Sequence, residues 1–387
     1  MNPFRLQVIE GREIYRSHAA AWTELLEKSG HPSFFLRGDW LETWSAVCGR
    51  DREHLLLVAE KDGHWVAGLP LVQGHGRLGA RRQVPKLEFA GTPWFDRLEI
   101  PAVSFEALLG FLRLALAWFH EERRGWIALS LEELPQDCPT QRALDQLALE
   151  QDFSLYSQLA SRAPMVVLDE GGHLSPRYAR KLKASRRRLA ELGGGQIDFF
   201  VPPEDRIDDL LDEMREVETM SWKGEQGVGV FRDREPLEFF TRLWRKICPL
   251  GDIALATLRV DGRLVAYHWG FRHRGRFLAY NLAQLPEANP YHGGLLLLDH
   301  IVHHGHELGF DILDASRGSL EIPNFIGVYH GPVRLHGHAT IYNRGIKGQV
   351  MRLLRHGVFP AARAVLGQAQ PPGFPGSGPA GDGDGRS

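Results

Sequence analysis

The chain has 387 residues, 43% of them hydrophobic and 24% charged, with a formal net charge of −2. That length can hold two ordinary cores, and the near-balance of charge excludes a dedicated DNA-binding protein, leaving any anion site to local clusters. Cys48, Cys138 and Cys248 are scattered and form no CxxC pair, the N-terminus lacks a signal-peptide pattern, and no apolar run reaches membrane-spanning length; the expectation is a cytoplasmic protein with no disulfide framework, zinc site or transmembrane segment.

Along the chain, residues 55–60 read as an apolar strand entering Asp62-Gly63, a pair suited to a tight turn that needs positive φ. An apolar helix is predicted over 105–123, then Gly125 and a strand at 126–130. The same order recurs: a strand at 254–260 enters Asp261-Gly262, a strand follows at 277–283, a helix at 293–308 ends on Gly309, and a strand occupies 310–314. Strands interleaved with helices favour an α/β fold with some parallel pairing, once in each half. Between the halves, a small polar stretch precedes Pro164 and Gly171-Gly172, which predicts domains of 1–164 and 165–345. A C-terminal helix is expected over 346–367. From Gln368 the chain is almost all Gly, Pro, Ser, Ala and Asp, and 368–387 are expected to be a disordered tail.

Four segments of the second half carry a resemblance: the basic run Ser175 to Leu182, Ser221-Trp222-Lys223-Gly224, the hairpin through Asp261-Gly262, and Gly293-Gly294-Leu295-Leu296. With Phe34 and Trp40 to Trp44, they make residues 30–320 resemble the CelD-like group of the GNAT acyltransferases, which is related to the Fem transferases. The resemblance implies two tandem GNAT-like domains, each a mixed sheet flanked by helices, with the first degenerate. It also implies an acyl-CoA-dependent N-acyltransferase that uses acetyl-CoA or another acyl-CoA, with a link to exopolysaccharide or cell-envelope synthesis. Related sequences follow the last core strand with an aromatic-lysine pair, whereas this chain has Ile322-Pro323-Asn324-Phe325-Ile326.

A coenzyme A site needs donors for a pyrophosphate. A helix N-terminus led by Gly293, Gly294 and Leu295 offers unpaired N–H groups and lets phosphate approach, unless the glycines only turn the chain. The resemblance places the pantetheine arm beside the backbone of Asn281, Leu282 and Ala283. The helix from Ser175 carries Arg186 among seven cations, more than solubility needs, and reads as either an anion contact or a solvated face. Trp222, Lys223 and Arg317 join Arg186 as candidate substrate or anion contacts. His300, His303, His304 and His306 crowd one helix without an HExxH pattern, so no metal is assigned. Amide formation needs a base for the amine and an acid for the thiolate; Glu218, Asp314 and Tyr280 are candidates, each with an alternative in a helix face, a salt bridge or core packing. The expected acceptor is a small-molecule or glycan-precursor amine such as an amino sugar. The alternatives are a Fem-like transfer from aminoacyl-tRNA and a catalytically degenerate scaffold subunit.

Overall fold

The computed structural model describes residues 3–30, 33–78, 82–121, 125–151, 153–168, 173–320 and 324–358. The predicted tail, the end of the predicted C-terminal helix, Gly171-Gly172 and Ile322-Pro323 lie outside them. The chain forms two compact units, the first comprising residues up to Ala160 together with those from Leu335, the second Ser161–Arg334.

The first unit begins with β1 (Arg5–Glu10), α1 (Ile14–Ser17), α2 (Ala19–Ser29), α3 (Gly38–Val47), β2 (His54–Lys61), β3 (His64–Leu78) and β4 (Arg82–Phe89). It continues with α4 (Phe105–Glu121), β5 (Ala128–Pro135), α5 (Pro139–Gln151) and the start of β6 (Leu155–Val167). The second contains β7 (His173–Leu174), α6 (Pro176–Glu191), β8 (Gln196–Phe200), α7 (Ile207–Met220), α8 (Trp222–Gln226), α9 (Arg234–Ile247), β9 (Ile253–Val260), β10 (Arg263–His273), β11 (Arg276–Gln284), α10 (Gly293–His304), β12 (Ile312–Asp314) and β13 (Tyr329–His330). The chain then returns to the first unit through β14 (Val333–Tyr342) and α11 (Ile346–Leu353). The sequence expectation ran the second domain on to residue 345; the structure differs because β14 is hydrogen-bonded to β5 from His336 to Tyr342.

The two sheets correspond strand by strand. In the first the order is β1-β2-β3-β4-β5-β14, and in the second β8-β9-β10-β11-β12-β6. In each, the fourth and fifth strands run parallel and the other pairs antiparallel. A helix, α4 or α10, makes the crossover, as parallel neighbours require. The repeated turns match as well: Asp62 and Gly63 have φ of 53° and 79°, Asp261 and Gly262 49° and 79°. Two successive positive φ values suit the twist of a tight hairpin. Each fold is thus a mixed sheet flanked by helices, as expected.

In the second unit α9 lays Phe239, Phe240, Leu243, Trp244 and Ile247 inward. Trp244 and Phe240 meet Trp269 of β10 at ring-centroid distances of 5.2 and 5.7 Å. β10 and β11 do not pair evenly. Trp269 faces Asn281 while the next residue, Gly270, faces Ala279, so Tyr280 is an extra residue in a bulge. The strands approach so closely there that a Cβ on Gly270 would lie 2.1 Å from the Leu278 carbonyl oxygen. A glycine inside an apolar strand is explained by that approach.

Gly270→Ala is therefore expected to lower the stability of the chain by about 1–3 kcal/mol, because backbone and not a flexible side chain must move. Denaturant titration checks this; an unchanged midpoint would mean that the bulge is not constrained as described.

Candidate active site

The last turn of α7 carries Glu218, and the chain then bends sharply into α8. Ser221 makes the corner: its Oγ donates to the Glu218 carbonyl at 2.7 Å and accepts from the Lys223 N–H at 3.2 Å. A Cβ on Gly224 would lie 2.0 Å from the Thr219 carbonyl oxygen, so the bend requires glycine there. The corner aims Lys223 at β11.

The Glu218 side chain is buried and fully engaged. Oε1 accepts from the Phe231 N–H at 2.7 Å, and Oε2 accepts from the Tyr267 hydroxyl at 3.1 Å and from Asn281 Nδ2 at 2.7 Å. Asn281 Nδ2 also donates to the Tyr267 oxygen at 3.0 Å, and Asn281 Oδ1 accepts from Lys223 Nζ. A Cβ on Gly229 would come within 2.3 Å of Glu218 Oε1, so this glycine makes room for the carboxylate. Burial pulls the Lys223 ammonium down to about 8, partly opposed by the negative Glu218. Burial, reinforced by Glu218, raises the Tyr267 hydroxyl well above its usual range. His268 is pushed down to about 3 by burial and then by Lys223, and stays neutral at physiological pH.

Asn281 belongs to a second feature. β11 and the parallel β12 pair only over Arg276–Leu278 and Ile312–Asp314. Beyond Leu278, no strand among the described residues pairs with that edge of β11. The open edge leads toward the start of α10. Gly293 lies against Ala288, Ala266 and Leu258, with only 3.2–3.3 Å available to a Cβ, and Leu295 is buried. The Gly294 N–H donates to Gln284 Oε1 at 2.7 Å. Positive charge gathers beside this end of the helix. Arg188 donates to the Pro290 carbonyl at 2.7 Å, and Lys181 and Arg188 add to burial in lowering the pKa of His292.

The other expected site residues make further contacts. Asp314 is fully buried; its Oδ2 accepts from Arg276 at 3.3 Å and Arg334 at 3.1 Å, and its Oδ1 from the Ser316 N–H at 2.9 Å. Arg186 is engaged by the buried Asp299, which also accepts from the Tyr329 hydroxyl at 2.8 Å. Arg317 is half-buried, with its carbonyl accepting from Asn324. Tyr280 packs against Trp269, Phe271 and Phe240, with centroids 5.0, 5.1 and 5.4 Å away. Trp222 opens α8 and is half-buried. His303 and His304 pair with Asp299 and Glu307, and among the described residues no group of three or more His, Cys, Asp or Glu could hold a metal ion. Sequence reading missed Tyr267, His268 and Gly229. The polar pair Tyr267-His268 inside the apolar strand 264–271 was the available signal.

Residues 176–321 match the family model described as an acetyltransferase (GNAT) domain. This span is a GNAT-type acyltransferase domain. Among solved structures, L-PGS from Bacillus licheniformis is 16% identical, covering 86% of this chain and 95% of that one, with a TM-score of 0.51. The C-terminal domain of a putative lysylphosphatidylglycerol synthetase from Agrobacterium fabrum gives 13%, 88%, 97% and 0.53. FemX gives 11%, 90%, 99% and 0.54. At these identities the likeness is one of fold. No curated protein matches the chain.

The lowered Lys223 pKa gives the GNAT domain a pH signature. Between about 8 and the ordinary 10.5 the folded chain has lost this proton while the unfolded chain retains it, so stability gains with rising pH there. Relative to Lys223→Met, the wild type is expected to become progressively more stable across that window, measured by denaturant titration. Parallel curves for the two proteins would contradict the burial of the ammonium.

Proposed function

We propose that the second unit transfers an acyl group from acetyl-CoA or another acyl-CoA to the amine of a small molecule or glycan precursor, an amino sugar being the leading candidate. In this reading it works in exopolysaccharide or cell-envelope synthesis, in the manner of the CelD-like group. One observation carries the proposal: Asn281 lies where β12 no longer covers β11, next to the outward-facing backbone of Leu282, and puts its side chain in the Glu218–Lys223 network. A donor laid along that edge would lie beside the group best suited to move a proton.

The residues fit the cofactor. Open backbone at Leu282, between Asn281 and Ala283 whose own backbone groups face β10, can pair with an amide of a pantetheine arm. The start of α10 at Gly293 and Gly294, flanked by Lys181 and Arg188, suits a pyrophosphate, with the Gln284 side chain giving up the Gly294 N–H, while the Leu295 N–H is held by the His292 carbonyl at 2.9 Å. When bound, acyl-CoA supplies an activated thioester. Lys223 Nζ, with its proton affinity held near neutrality, takes the proton of the attacking amine as the C–N bond forms. Glu218 holds Asn281 and Tyr267 in place and offsets the charge that Lys223 gains. Tyr280 Oη donates a proton to the departing sulfur as the C–S bond breaks. Asp314, committed to two guanidinium groups, takes no proton in this scheme, and Trp222 and Arg317 are acceptor contacts.

A second reading, with aminoacyl-tRNA as donor, is favoured by α6. Its Arg177, Arg180 and Lys183 are exposed and make no ion pair with a described residue.

Calorimetric titration separates the two. Acetyl-CoA is expected to bind the wild type, and Lys181→Glu with Arg188→Glu to weaken it about tenfold without changing the melting temperature. Binding of tRNA without binding of acetyl-CoA would replace the first reading by the second. Binding of neither would overturn both.

A further inference from the structure

The helix α11 shows an apolar ridge on its outer side. Its inner side is anchored within the first unit: Met351 packs with Ile127, Ala128 and Tyr342, and the Tyr342 hydroxyl meets His356 Nε2 at 2.7 Å. The His356 ring stacks on Tyr156 at 3.5 Å. At the start of the helix, Asn343 Nδ2 donates to the Phe119 carbonyl and Gln349 to the Asn343 carbonyl. A Cβ on Gly348 would lie 2.1 Å from that same Asn343 oxygen, so the backbone approaches closely there. Its orientation is therefore fixed, and the residues facing away are the informative ones.

They are Ile346, Val350 and Leu353, exposed at 85%, 49% and 60%. Their i, i+4, i+7 spacing puts them in one stripe, opposite the buried Gly348 and Met351. Arg344, Lys347 and Arg352 are exposed near the stripe, and Lys347 and Arg352 form no ion pair with a described residue. The sequence has no aspartate or glutamate between Glu321 and Asp382. An exposed apolar ridge bordered by cations and by no anion is complementary to a surface that is apolar within and anionic at its rim.

We propose that α11 lies on an anionic lipid surface, with Ile346, Val350 and Leu353 at the acyl boundary and the flanking cations among the headgroups. A second copy of the chain is disfavoured as the occupant. A two-fold contact would set the same cations against one another, and two helical turns are far smaller than a stable interface. Three apolar side chains give weak, reversible attachment, so it depends on anionic headgroups and weakens with salt.

The test is flotation of the full chain with vesicles of phosphatidylcholine alone or mixed with phosphatidylglycerol. The expected result is binding to the mixed vesicles, stronger by about tenfold than to phosphatidylcholine alone and reduced by salt. Ile346→Ser with Val350→Ser and Leu353→Ser, and separately Lys347→Glu with Arg352→Glu, should each abolish it with the melting temperature unchanged. No binding to the mixed vesicles, or undiminished binding by both variants, overturns the proposal. So does binding seen only when the chain ends at Val358, because residues after it then cover the ridge. Light scattering provides a further check: a dimer that the serine variant converts to monomer would assign the ridge to a second copy and overturn the lipid assignment.

Discussion

A carboxylate removed from water must receive its hydrogen bonds from the protein, and the arrangement of the second unit follows from how Glu218 receives them. Its donors come from the segment after α8, from β10 and from β11, so three separate stretches of chain are tied to the last turn of one helix. Gly229 leaves space for the carboxylate, and Gly224 lets the corner close tightly enough for Lys223 to reach Asn281. Loss of the carboxylate would strand a hydroxyl, an amide and a backbone N–H in the interior, each costly when unpaired. The same charge keeps the Lys223 ammonium from falling further in pKa as it is drawn out of water. Structure and proton chemistry thus depend on one group.

The repeated architecture shows what distinguishes the two units. Both place a crossover helix between parallel fourth and fifth strands. In the first unit the start of α4 is capped, with the Ala107 N–H donating to Ser104 Oγ, and Glu88 on its fourth strand is tied to Arg52 and Lys86. In the second, α10 starts on two glycines beside Lys181 and Arg188, and the fourth strand carries Asn281 into a buried network. The same fold therefore offers an ion-paired strand that ends one residue past its parallel pairing in one case, and a strand that runs six residues further, next to a titratable amine, in the other.

The hairpins, the basic helix and the glycine-led α10 were legible in the sequence because each rests on local rules: positive φ at Asp-Gly, Pro176 at a helix start, apolar periodicity. Glu218, Lys223 and Asn281 were picked out singly, but their meeting depends on the α7–α8 corner and on the β10–β11 register, which no local pattern encodes. Asn281 was valued for its backbone, while its side chain proves to be the link between lysine and carboxylate. Asp314 was chosen as a possible base with a salt bridge as its alternative, and Arg186 as a possible anion contact. Their partners, Arg276, Arg334 and Asp299, are distant in sequence, so the ion pairs that engage them could not be read in advance. The return of β14 to the first unit was hidden for the same reason, since strand pairing across two hundred residues leaves no local trace.

The central claim is that the free edge of β11 and the start of α10 hold the acyl donor. Amide hydrogen exchange, resolved by residue and compared with and without acetyl-CoA, tests it most directly. Slowed exchange at Leu282 and Gly294, with the first-unit counterparts on β4 and α4 unchanged, is the result the account predicts. Slowing confined to the first unit, or no change on β11 under conditions where acetyl-CoA demonstrably binds, would contradict it.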